Sequence, residues 1–226
     1  MAAPLGFLEA SVAKYGDQIP TILKVNSANL ISTPPLTPTQ AQTSCVQDAL
    51  RLGCAGIGLT LYPGSPAMFE MIEAARPIIH EAKEAGLAVI VWSYPRGDIS
   101  KQGETSLDVI AYGVHMACQL GAHIVKSKTP SDFVEQPAVA DIYKDHSVKT
   151  DSLADRVSHV RQCAFDDRRL VIYSGGAAKE VSQVLDEVKA IHEGGGYGSI
   201  IGRNCFQRPR DEALAMMRGM LDIYKS

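Results

Sequence analysis

Gly121-Ala122-His123-Ile124-Val125-Lys126-Ser127-Lys128 is the stretch from which the fold is read. A glycine opens it, and the next residues are small, branched or weakly polar. That is the pattern of a strand buried on both faces. A lysine at the end of such a strand needs a physical reason, because an ammonium is costly to desolvate unless it is paired or neutral. Two readings stand open on this stretch alone. The side chain reaches solvent along its apolar stem, or it is a reactive amine that forms a Schiff base with a carbonyl substrate. The strands on either side bear on the choice.

Outward from this strand, five more apolar runs read as strands, at 19–25, 55–61, 87–94, 169–173 and 197–201. Helical periodicity follows or precedes each, over 5–15, 43–52, 66–85, 105–120, 151–165, 178–192 and 209–224. Gly16, Gly53, Gly86 and Gly121 stop four of these helices. Pro77 marks a kink or break in the third. Thr105-x-x-Asp108 reads as a helix start. The segments 29–40 and 129–150 read as loops, the second a long insertion of the kind that serves as a lid. Strict alternation of strand and helix predicts a parallel α/β architecture with right-handed crossovers. Functional-looking residues at the C-terminal strand ends favour a (β/α)8 TIM barrel over an open doubly wound sheet. No G-x-G-x-x-G follows a strand. Six strands against the eight of a closed barrel predict an incomplete one, as a single domain over 1–226.

Composition narrows the function classes. A hydrophobic fraction of 46% and a charged fraction of 21% describe an ordinary globular chain. The net charge of −3 implies no nucleic-acid or anionic-membrane surface. Five cysteines (Cys45, Cys54, Cys118, Cys163, Cys205) contain no C-x-x-C pair, so they read as reduced and the compartment as cytoplasmic. No apolar run approaches a membrane span, and no signal pattern opens the chain.

The strand ends carry the chemistry. Trp92 and Tyr94 are two residues apart and face the same way, toward the top of a barrel lumen. A phenol placed there can hand over a proton. Packing at the barrel mouth is the plainer role for both rings. Ser174-Gly175-Gly176 follows one strand and is read as opening a helix, where bared amides form an anion site. Gly202-Arg203 follows the next strand, with a cation beside its glycine. Two such loops after the last two strands are where barrels hold a phosphate. Lys128 faces the same way as Lys126, and a second cation lowers an amine's pKa. Together these residues point to a Schiff-base enzyme acting on a phosphorylated carbonyl compound. Periodicity does not choose between Lys126 and Lys128 as nucleophile, and Lys24 is a third candidate with a structural role in view.

These stretches resemble the class I fructose-bisphosphate aldolases of archaeal and bacterial type. The resemblance runs through Ile19-Pro20-x-Ile22-Leu23-Lys24, Tyr62-Pro63-Gly64-Ser65, Val91-Trp92-Ser93-Tyr94-Pro95-Arg96-Gly97, Gly121-Ala122-x-Ile124-Val125-Lys126-x-Lys128, Ser174-Gly175-Gly176 and Gly202-Arg203-Asn204. It implies Lys126 as the Schiff-base lysine, Tyr94 as proton donor and acceptor, and Trp92 as its lumen-lining neighbour. It implies Ser174, Gly175, Gly176, Gly202 and Arg203 as the phosphate-binding loops, with Lys128 as a modulator of the amine. The implied reaction is reversible cleavage of fructose 1,6-bisphosphate to dihydroxyacetone phosphate and glyceraldehyde 3-phosphate, as in glycolysis and gluconeogenesis. Neither cofactor nor metal is implied, and a homo-oligomer is. Relatives carry about two further βα units before the strand at 19–25, with an Asp and a nearby His; Asp17 precedes a strand instead of ending one. The expectation is therefore a chain shortened relative to the family, with open sheet edges at 19–25 and 197–201. A related aldolase or acyl transferase acting on another phosphorylated sugar, and a non-catalytic remnant, are the competing readings.

Overall fold

The computed structural model describes residues 1–16, 18–29, 37–176 and 178–226. Asp17 and the middle of the 29–40 segment therefore lie outside the described residues, as does Ala177 beside the second glycine loop. Seven strands belong to one mostly parallel sheet: β1 (Ala2–Pro4), β2 (Ile22–Lys24), β5 (Gly56–Leu61), β6 (Ala88–Ser93), β7 (Ile124–Lys128), β8 (Leu170–Ser174) and β9 (Gly198–Ile200), neighbours in that order. All six predicted strands are present, most of them shorter than predicted. The seventh, β1, was not predicted: three residues ahead of the first helix are too short to show a period. β1 pairs with β2 in parallel, Ala2 opposite Ile22 and Pro4 opposite Lys24. The edge expected at 19–25 is thus covered. Pro4 fits this position because a short outer strand spares it a ladder hydrogen bond.

The chain packs as two compact units, and β7 passes from one to the other. The first comprises Met1–Ile99 and Met116–Val125. Its core strands β5 and β6 are in register from Gly56–Ala88 to Leu61–Ser93. Every residue of β5 is buried, so it shows no alternation of apolar and polar residues. Helix α1 (Leu5–Tyr15) buries Leu8, and α3 (Met68–Glu84) turns Met71, Ala75, Ile79 and Ala82 inward at helical spacing. The helix runs through Pro77, which removes one backbone donor without ending it. Helix α2 (Val46–Arg51) and a two-stranded ribbon, β3 (Asn26–Ser27) with β4 (Ala41–Gln42), complete this unit.

The second unit comprises Ser100–His115 and Lys126–Ser226. It contains the start of α4 (Leu107–Gln119), α5 (Pro137–Asp145), α6 (Leu153–Cys163), α7 (Val181–Glu193), the short α8 (Arg203–Phe206) and α9 (Arg210–Lys225). Strands β8 and β9 pair in parallel, Ile172 opposite Gly198. Val184, Val188, Met216 and Met220 form the seam between α7 and α9. Two expectations are corrected here. The 129–150 insertion is no continuous loop, because α5 lies within it, opened by Pro137 at a position that suits proline. Asp108 does not serve as the capping partner of Thr105. Its carboxylate accepts from the N–H groups of Glu135 and Gln136, at 2.9 and 3.0 Å, and so ties the entrance of α5 to α4. Among the described residues no helix is long and apolar enough to cross a membrane, and the five cysteines are free thiols.

Candidate active site

The sequence-predicted site residues fall into two sets, one in each unit. In the first unit, Lys24 ends β2 opposite Gly58 of β5, while Trp92 of β6 stands opposite Thr60. The Lys24 ammonium lies 5.8 Å from the Trp92 ring centroid, within reach of a cation–π contact. Gly58 makes room for that ring. A Cβ there would stand 2.0 Å from Trp92 Cζ3 and 2.3 Å from Cη2. The glycines of 55–61 read from sequence as places of close approach, and at Gly58 the approaching group is an indole.

Lys24 is held at its tip. Nζ donates to the Asn26 carbonyl oxygen at 2.6 Å and to Asn26 Oδ1 at 2.5 Å. The Asn26 amide is itself locked onto β5, donating to the Thr60 carbonyl at 2.9 Å and accepting from the Thr60 N–H at 2.8 Å. Burial lowers the Lys24 ammonium from 10.5 to about 8. Tyr94 extends the β6 pairing by one residue, its N–H donating to the Leu61 carbonyl at 3.0 Å, and its ring is half-buried. Trp92 is buried.

In the second unit, Lys126 and Lys128 project from the same face of β7, each half-buried, with the buried Ser127 between them. Their environments differ. Lys128 Nζ donates to Glu104 Oε2 at 2.8 Å, and Glu104 also takes Lys101 at 3.0 Å. Burial opposes ionisation of the Glu104 carboxyl, but hydrogen bonds from Lys128 and Lys101 outweigh it and lower its pKa. Lys126 is lowered by burial from 10.5 to about 8. Desolvation is thus the physical cause of the depression, and the Lys128 charge is balanced within its own ion pair. Glu104 carries no local signal in the sequence; it lies 24 residues from the lysine it meets.

The two glycine loops of this unit meet. Arg203 Nη2 donates to the Gly176 carbonyl at 3.1 Å, using one of a guanidinium's five N–H donors. Asn204 is buried; its Nδ2 donates to the Gly175 carbonyl at 3.0 Å, and its Oδ1 accepts from the Lys179 N–H at 2.8 Å. Arg208 closes the clamp through the carbonyls of Asn204 and Lys179. Gly176 has φ +64°, a region where glycine is at ease. Ser174 ends β8, and Gly202 directly precedes α8. One structural expectation is corrected. The loop does not open directly into a helix: α7 starts at Val181, capped by Glu180 and Gln183 in a capping box. Any anion at 175–176 would meet loop amides and the Arg203 guanidinium, not a helix end. Asn204 is quoted in the sequence motif, but its bridging role depends on a partner 29 residues away. Among the described residues no group of three or more His, Cys, Asp or Glu side chains is placed to hold a metal.

The arrangement supplies amines poised near neutral pH and a braced glycine loop beside a guanidinium. Comparison with known proteins agrees with this chemistry. The model of the DeoC/LacD family aldolases matches residues 1–208. The fructose-bisphosphate aldolase class 1 of Halobacterium salinarum is 31% identical over 213 residues, covering 94% of this chain and 71% of that protein. The probable fructose-bisphosphate aldolase class 1 of Chlamydia muridarum is 28% identical over 241 residues, covering 99% of this chain and 67% of that protein. An archaeal fructose-1,6-bisphosphate aldolase, solved with its catalytic lysine bound to a carbinolamine intermediate, superposes with a TM-score of 0.80 at 26% identity over 100% of this chain and 78% of its own. The chain belongs to the DeoC/LacD family of aldolases, enzymes of the carbon–carbon lyase class.

Proposed function

We propose that this aldolase is a class I fructose-bisphosphate aldolase with Lys126 as the Schiff-base nucleophile. The observation that carries the proposal is the Lys126 amine, third of the five residues of β7, lowered by desolvation to about 8. At pH 7.5 an amine of that pKa is about one quarter neutral, against about one part in a thousand for an ordinary lysine. The neutral amine adds to the C2 carbonyl of the sugar, and loss of water gives an iminium. The iminium draws electrons from the C3–C4 bond. As the C4 hydroxyl proton leaves to a base, that bond breaks and glyceraldehyde 3-phosphate departs. Tyr94 protonates the resulting enamine at C3, and water hydrolyses the iminium to release dihydroxyacetone phosphate and restore the amine.

The braced loops of Ser174, Gly175, Gly176, Gly202 and Arg203 are proposed to hold a substrate phosphate. Trp92 lines the sugar site. Lys128 keeps Glu104 ionised and sets the charge along the same strand face, a secondary influence on Lys126.

Borohydride trapping with dihydroxyacetone phosphate tests the nucleophile. A reduced adduct on the peptide containing Lys126, absent in Lys126→Met, is expected. An adduct on Lys24 alone would overturn the assignment, since burial depresses that amine equally. A panel of phosphorylated ketoses then separates fructose 1,6-bisphosphate from other sugars open to a member of this family.

A further inference from the structure

The insertion between β7 and α6 holds a cavity that the aldolase chemistry leaves unused. Asp155, Ser158, His159 and Gln162 fall at helical spacing on α6, a polar stripe that faces a cavity of about 310 Å³. The segment after α5 forms the opposite wall, through His146, Ser147 and Lys149. The volume lies at the lower end of the range of small-molecule sites, ~300–1,000 Å³.

This wall is built, not draped. The N–H groups of His146, Ser147 and Val148 donate to the carbonyls of Ile142, Lys144 and Tyr143 at 3.0, 3.1 and 2.8 Å. Ser147 takes φ +51°, a left-handed conformation that a non-glycine residue adopts at some cost. Beyond it, Arg156 Nη1 donates to the carbonyl of Thr150 at 2.7 Å, and Nε to that of Pro130 at 3.0 Å. On the α6 side, His159 Nε2 lies 2.9 Å from the Tyr143 hydroxyl, and the two rings pack edge to face. The cavity is therefore set between an anchored loop and a buttressed helix face.

One carboxylate, one ammonium and two imidazoles line it. The single lining carboxylate, Asp155, is occupied at Oδ2 by the Ser152 N–H and hydroxyl in the α6 capping box. Lys149 and His146 stand opposite as exposed cationic or protonatable groups, and the hydroxyls of Ser147 and Ser158 add donors.

We propose that this cavity is a second anion site, selective for the phosphate group of a small metabolite and separate from the catalytic lysine and the glycine loops. A phosphate needs a cation and several N–H or O–H donors around a small volume, which Lys149, His146 and the two serines supply. Burial holds the His159 ring below its ordinary pKa, so near neutral pH it serves as a dipolar wall of the cavity.

Calorimetry with inorganic phosphate and with glycerol 3-phosphate tests this on the full chain carrying Arg203→Ala, which weakens the proposed substrate anion site. That variant should retain one phosphate site. Adding Lys149→Glu or Ser158→Glu should weaken it at least tenfold, while Lys144→Glu, an equal charge reversal outside the cavity lining, should change it less than twofold. The His146 and His159 ring resonances should also move on titration of the Arg203→Ala chain. The proposal is overturned if that chain binds no phosphate, if Lys144→Glu weakens binding as much as Lys149→Glu, or if neither histidine responds at saturation. None of these outcomes depends on cleavage activity, so the aldolase reading stands or falls separately.

Discussion

Lys128 and Glu104 form an ion pair across 2.8 Å, and that pair separates the two lysines of β7. Lys126, two residues away on the same face, has its ammonium lowered by burial to about 8. Of the two, Lys126 is the proposed nucleophile.

Replacing Glu104 by Gln leaves the Lys128 charge unbalanced beside Lys126. Repulsion between like charges then favours the neutral Lys126 amine, by at least about 0.5 pH unit at ~7 Å, the value for water-like screening. The midpoint of borohydride trapping against pH should move down in Glu104→Gln and up in Lys128→Met. Opposite shifts, or none, would remove Lys128 from any influence on the amine.

Schiff-base formation should rise with pH through a midpoint near 8, because the amine reacts only when neutral. Stability carries the same signature. The folded-state pKa of Lys126 lies below its unfolded value of 10.5, so between about 8 and 10.5 the unfolded chain binds more protons. Stability from this group therefore rises with pH across that window, and the burial penalty is fully present below it. Lys24 adds in the same sense. Urea unfolding at pH 7.5 and 9.5 should show a smaller rise in Lys126→Met than in the parent chain.

Gly58→Ala places a methyl group where the Trp92 ring now lies, 2.0 Å from Cζ3, with Ile22 Cγ2 at 3.3 Å closing the other side. The indole has to move. A loss of about 1–3 kcal/mol is expected in urea unfolding. Trp92 is the one tryptophan of the sequence, so its fluorescence reports the displacement directly.

Asn204→Ala cuts the bonds to Gly175 and to the Lys179 N–H. It leaves a buried donor and acceptor unmatched, worth about 1–3 kcal/mol. As a positioning residue, Asn204 should act on KM for the bisphosphate about tenfold or more while kcat changes less. A fall in kcat with KM unchanged would assign it to the chemical step instead.

Much of this protein was legible before any coordinates. The alternation of strands and helices, Lys126 on a strand and the paired glycine loops are local patterns, and local patterns survive in a linear string; that β7 runs on to Lys128 was not read there. β1 escaped because three residues show no period. α5 escaped because its nine residues bury no side chain, so no apolar stripe marks them. The partnerships were out of reach for a different reason. Glu104 meets Lys128, Asp108 meets the entrance of α5, and Asn204 meets Gly175 across 24, 27 and 29 residues. That Lys128 meets a carboxylate depends on such a long-range contact. Sequence alone placed Lys126 on a strand; the structure sets it third of the five residues of β7, and only the packing around it decides that burial lowers its pKa.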